Sequence, residues 1–127
     1  MKKELLANEI EEIKNNEYVI FSTTSNNIPH SIVVMPSRIE SNRIIISNIQ
    51  MNKTIKNIRV NPNCFINVYI KENNDKQYKI NCMCEILENG ELFNEIKDYE
   101  EKNNLPEELK VKQIIVANIK DIEISEE

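Results

Sequence analysis

The residues best placed to do chemistry are Asn52, Lys53 and Thr54, which set an ammonium, a hydroxyl and a run of backbone amides side by side where a helix is predicted to begin. Such a helix start binds anions, because its first N–H groups lack partners and the peptide dipoles add positive potential. Asn57 lies four residues after Lys53 and three after Thr54, so it can share their face. The surrounding charge favours the same ligand class. Between residues 38 and 60, Arg38, Arg43, Lys53, Lys56 and Arg59 face only Glu40, a local charge of +4 in a chain whose net charge is -5. A phosphate-sized anion is the natural occupant. The competing reading is a solvated helix start of ordinary kind, since many helices begin with a capping residue beside a lysine.

Other candidate groups are weaker. Cys82 and Cys84 share one face of an extended strand, with Cys64 expected opposite Cys84. With His30 they offer a Cys3His set, but C-x-C on a strand lacks the tight turn that gathers zinc ligands. Buried thiols acting as small apolar groups are expected instead. The carboxylates of the first segment and of residues 91–108 alternate with lysines and read as solvated faces.

Composition narrows the remaining classes. The 127 residues support one domain and one core. The acidic balance argues against non-specific binding to nucleic acid or anionic membrane, and only seven Phe and Tyr are available to stack on bases. A single glycine, Gly90, excludes the glycine-rich phosphate loops of P-loop and dinucleotide-binding proteins. One histidine and no tryptophan leave little for a Ser-His-Asp triad or a multi-histidine metal site. The longest apolar runs, such as Ile32–Met35 and Ile114–Ala117, are four residues, far short of the roughly 18 needed for a membrane span. Three cysteines and no secretory leader point to free thiols and the cytoplasm.

These groups must be positioned by elements that the patterning predicts. Leu6, Ile10 and Ile13 mark an amphipathic helix between Lys2 and Asn15. Tyr18–Phe21 begins a strand, and a second runs from His30 to Ile39 after a turn at Ser25-Asn26-Asn27. Arg43–Asn48 is a third strand, followed by a helix over Lys53–Val60, capped by Asn52, with Ile55 and Ile58 inward and Asn61-Pro62 as its stop. Strands over Cys64–Lys71 and Gln77–Leu87 flank a turn at residues 73–75. Centring that turn on Asn74 sets Ile66 against Cys82 and Val68 against Ile80, with an apolar even face. The odd face, with Phe65, Asn67 and Tyr69, is mixed and suits a ligand or subunit contact. A helix over Glu91–Asn103 and a last strand over Val111–Ser125 complete an α+β fold of three helices and six antiparallel strands. Barrel closure would remove its exposed edges.

The order of these parts, with Ile28-Pro29-His30-Ser31-Ile32-Val33-Val34-Met35, Asn42–Ser47, Met51-Asn52-Lys53-Thr54, Asn57-Ile58 and Asn61-Pro62, resembles the pyridoxamine 5'-phosphate oxidase-like split-barrel family, and within it the small FMN-binding flavoproteins. The resemblance covers residues 5–124. It implies a six-stranded antiparallel split barrel of Greek-key type with flanking short helices, a homodimer, and FMN at the subunit interface. It further implies that Ser47, Asn48, Gln50, Met51, Lys53 and Thr54 form the phosphate segment, and that Val33, Val34 and Met35 line the isoalloxazine ring. The chain departs from the family at Ile49-Gln50, where relatives often have small residues or glycine, and at Val33-Val34, where small polar residues are usual. Authentic pyridoxamine phosphate oxidases carry an Arg and a His near the C-terminus; residues 111–127 hold neither, so vitamin B6 oxidation is not expected. What remains is a flavoprotein that passes electrons to or from a small molecule, with FMN or a deazaflavin as cofactor. The alternative is a non-catalytic binding or sensor protein on the same barrel, holding FMN, another phosphorylated cofactor or none.

Overall fold

The computed structural model describes residues 2–73 and 76–126. Their elements in chain order are α1 (Ala7–Asn16), β1 (Val19–Ser25), β2 (Ile28–Val34), β3 (Arg38–Ile39), β4 (Arg43–Asn48), α2 (Asn52–Val60), β5 (Asn63–Tyr69), β6 (Lys76–Leu87), α3 (Glu91–Lys102), a short 3-10 turn (Glu107–Leu109) and β7 (Gln113–Glu126). The strands form one antiparallel ladder in the order β2-β1-β5-β6-β7-β4-β3. Its end strands β2 and β3 are joined by residues 35–37 alone, a link that spans at most about 14 Å. A flat sheet of this width would hold them about 29 Å apart. The sheet therefore curls until its two ends meet, the geometry of a split barrel.

The strand expected over His30–Ile39 is two strands, and this raises the count from six to seven. Pro36 has no N–H for the ladder, so β2 ends before it; pairing resumes when Ser37 N–H donates to the Ile45 carbonyl at 2.8 Å. The β1–β2 hairpin turns on Asn26 and Asn27, both at positive φ (53° and 64°), which matches the right-handed twist of the strands. The first helix starts at Ala7, not near Lys2, because the preceding residues pair elsewhere: Lys2 bridges to Ile122 and the Leu5 amide donates to Ser41.

β5 and β6 pair with Cys64 opposite Cys82, Ile66 opposite Ile80 and Val68 opposite Tyr78, two residues from the expected register. The Ile70 amide donates to the Lys76 carbonyl, so the connection is centred on Asn73 and not on Asn74; Asn74 and Asp75 lie outside the described residues. A two-residue slip leaves every side chain on its expected face. The even face is indeed the apolar one.

Burial explains the two kinds of strand pattern. β1, β5 and β6 alternate because only their inner face is covered, by Phe21, Ile66, Val68, Tyr78, Ile80 and their neighbours. Ile44-Ile45-Ile46 and Ile114–Ala117 run unbroken because β4 and β7 are covered on both sides: Ile44, Ile46, Ile115 and Ala117 face the barrel core, while Ile45, Ile114 and Val116 pack under α3 with Ile96 and Val111. In β7 the extra residue between Ile119 and Asp121 forms a bulge that reverses the inward parity, so Ile122 also returns to the core. No helix among the described residues is long and apolar enough to cross a membrane.

Candidate functional site

The site is built around the entry to α2. Ile55 and Ile58 bury against the core and fix the helix roll, while Asn57, on the same inner side, donates from Nδ2 to the Thr23 hydroxyl of β1 at 3.1 Å. Asn61, held extended before Pro62, ends the helix. At the other end the expected cap is absent: Asn52 is the first helical residue, and the residue at the cap position, Met51, makes no side-chain capping hydrogen bond. Asn48 takes up a neighbouring role instead, its Oδ1 accepting the Met51 N–H at 2.6 Å. The first intrahelical bond runs from the Ile55 amide to the Met51 carbonyl, so the amides of Asn52, Lys53 and Thr54 precede the helical ladder. The first turn of α2 contains no acidic residue, whereas α1 and α3 begin with Glu9 and Glu91 in theirs.

Charge at this end is more focused than the sequence suggests. Arg38 pairs with Glu95 at 2.7 Å, Arg43 with Glu40 at 2.5 Å and Arg59 with Glu88 at 3.2 Å. Of the five cations, Lys53 and Lys56 alone have no carboxylate partner among the described residues. Both are exposed on α2.

The remaining candidate residues divide by direction. Val33 and Met35 are 68 % and 57 % exposed, whereas Val34 between them points into the core. Ser47 shares a hydroxyl hydrogen bond of 2.6 Å with Ser37, which draws the segment holding Met35 to the end of β4. Gln50 is exposed and Met51 packs partly against the core. Lys53 reaches solvent, while Thr54 is only 1 % exposed. Asn48 is 3 % exposed, and its amide is spent internally: Nδ2 donates to Gln113 Oε1 at 2.6 Å. Thr23, Ser37 and Gln113 carry no signal in the local sequence. No local spacing links them to residues 47–57, and only strand pairing brings them there.

The concavity beside Met35, lined also by Lys14, Pro36 and Arg38, holds about 180 Å³. That is below the size of usual cofactor pockets. The outer face of β1, β2, β5 and β6 leaves Ile20, Val33, Tyr69 and Met83 exposed, with Ile20 directly opposite Val33. The three thiols lie away from this surface in the core. Burial pushes Cys82 up to about 12, with Cys64 beside it adding to the rise, and a hydrogen bond with Cys64 together with burial raises Cys84.

Comparison with known proteins agrees with the fold. A family model described as pyridoxamine 5'-phosphate oxidase matches residues 6–125, and the chain belongs to that family. Among solved structures it is similar to HupZ of Group A Streptococcus, with 16 % identity over 97 % of this chain and 99 % of that one and a TM-score of 0.80. It is also similar to an FMN-binding protein from Syntrophomonas wolfei subsp. wolfei (23 % identity, 91 % and 84 % covered, TM-score 0.65) and to an F420 reductase (15 %, 89 % and 94 %, 0.69). At these identities the likeness establishes the split-barrel fold. No curated protein matches the chain.

Proposed function

We propose that this protein binds FMN between two copies of the chain and serves as an oxidoreductase or electron carrier for a small molecule. The observation that carries the reading is the start of α2: three amides ahead of the helical ladder, an exposed Lys53 in the same turn with no carboxylate partner among the described residues, no acidic residue in the turn, and a chain that is elsewhere net acidic. A dianionic phosphate complements this arrangement. The family match and the FMN-binding protein among the similar structures support a flavin as the group that carries the phosphate.

In this reading Lys53 and the amides of Asn52, Lys53 and Thr54 grip the phosphate, with Ser47, Gln50 and Met51 flanking it. Val33 and Met35 offer side chains to the ring, and Val34 offers only backbone. The small volume beside Met35 and the uncovered apolar residues Ile20, Val33, Tyr69 and Met83 favour a second copy as the other wall. FMN when bound supplies the redox chemistry. The chain's part is to hold it, shield it and set access. The free thiols suit a reducing compartment such as the cytoplasm.

The test is titration of the purified, flavin-free protein with FMN, read by flavin fluorescence, with the oligomeric state measured in parallel. Saturable binding to a dimer, with a flavin band that bleaches on reduction and returns in air, is expected. A protein that takes up no FMN refutes the cofactor assignment and favours a binding protein of another kind on the same barrel.

A further inference from the structure

We infer that Asn48 is a positioning residue which sets the phosphate affinity of α2 without touching the ligand; this rests on the FMN reading above. Three hydrogen bonds converge on it. Oδ1 accepts the Met51 N–H at 2.6 Å, Nδ2 donates to Gln113 Oε1 at 2.6 Å, and the backbone carbonyl accepts the Lys112 amide at 2.9 Å. Asn48 is therefore clamped to the start of β7 while it holds the residue from which α2 departs. The chain continues outward: Gln113 Nε2 donates to Glu88 Oε1 at 3.3 Å, and the same carboxylate oxygen accepts Arg59 Nη2 at 3.2 Å from the last turn of α2. One polar path thus joins the first and last turns of the helix through two strands and a loop.

Two consequences follow for the ligand. The Met51 amide is occupied and drops out of the set available to an anion, which leaves those of Asn52, Lys53 and Thr54. Their direction is fixed by the Met51 backbone, and that backbone is held by a side chain almost without solvent contact, where a hydrogen bond is not readily replaced by water. The one carboxylate in the network, Glu88, pairs with Arg59 at 3.2 Å, whereas Lys53 in the first turn has no carboxylate partner among the described residues. Among the described residues the Asn48 side chain bonds to Met51 and Gln113 and not to the ring-facing Val33 or Met35, so its effect is expected at the phosphate.

The experiment compares FMN with riboflavin, which carries the same ring and no phosphate, on wild type, Asn48→Ala and Gln113→Ala. Asn48→Ala is expected to weaken FMN about tenfold or more and riboflavin less than about twofold, with Gln113→Ala shifting the same ratio by a smaller factor. Loss of one buried bond from a general packing role would weaken both ligands together, and that result overturns the assignment. Amide exchange of the ligand-free protein supplies the second arm. The Met51 amide is expected to exchange at least about tenfold faster in Asn48→Ala, with the protection of β5 and β6 unchanged. Unchanged exchange at Met51 overturns the positioning role. Gln113→Ala keeps the question open to measurement if Asn48→Ala does not fold. Wild-type protein that binds neither flavin refutes the FMN reading and the phosphate role with it, whereas wild type and Asn48→Ala binding FMN equally refute the role of Asn48 alone.

Discussion

Asn57 donates to the Thr23 hydroxyl at 3.1 Å, and both residues are buried, so the helix that presents Lys53 is tied to β1 by a buried polar bond. Asn57→Ala strands the Thr23 hydroxyl and is expected to cost about 1–3 kcal/mol in urea unfolding. Pairing Asn57→Leu with Thr23→Val removes both partners and should recover part of that loss. A double variant less stable than either single one would show that the bond is not what couples these elements.

Lys53 carries the electrostatic side of the proposed phosphate grip. Lys53→Ala is expected to weaken FMN about tenfold, Lys53→Arg to retain most of the affinity, and the difference to shrink as salt rises. Equal FMN binding by wild type and Lys53→Ala at low ionic strength would remove the phosphate from α2.

The acid limb of stability is set partly at α1. Glu12 accepts hydrogen bonds from Lys76 at 2.8 Å and from the buried Tyr78 hydroxyl at 2.5 Å, and these hold its carboxyl below the ordinary value of 4.5 despite burial. Glu9 is also held low: its burial is outweighed by the Leu6 amide and Lys2. A carboxyl with a lowered folded pKa binds protons more weakly than in the unfolded chain. Its stabilisation is therefore present above about pH 4.5 and is lost as the pH falls through the folded value. Urea midpoints should be level from pH 7 to 5 and fall below that. Glu12→Gln should lower the plateau and flatten the acid slope, with Glu9 supplying what remains.

Cys64, Cys82 and Cys84 are buried and form no disulfide, and the raised Cys82 and Cys84 thiols hold little thiolate near neutrality. A thiol-specific disulfide reagent should label less than one cysteine per folded chain within minutes and three after denaturation. Rapid native labelling of two or more would contradict the burial described above.

Much of the architecture is a local property of the chain. The alternation in β5 and β6, the stop at Asn61-Pro62, the turn residues Asn26 and Asn27, and the inward Ile55 and Ile58 follow from period and stereochemistry within a few residues. The helix bearing Lys53 and Thr54 is legible for the same reason, and so is the family through its motifs.

Tertiary structure decided whatever depends on partners far apart in sequence. The β5–β6 register escaped local reasoning because a slip of two residues preserves both faces, and so leaves the apolar pattern unable to choose between alternatives. Which cations remain unpaired was settled by Glu95 and Glu88, 57 and 29 residues from Arg38 and Arg59. Asn48 became a structural clamp through Gln113, 65 residues away, because strand pairing brings β4 beside β7. Periodicity records which way a side chain faces; only closure of the sheet determines what it meets there.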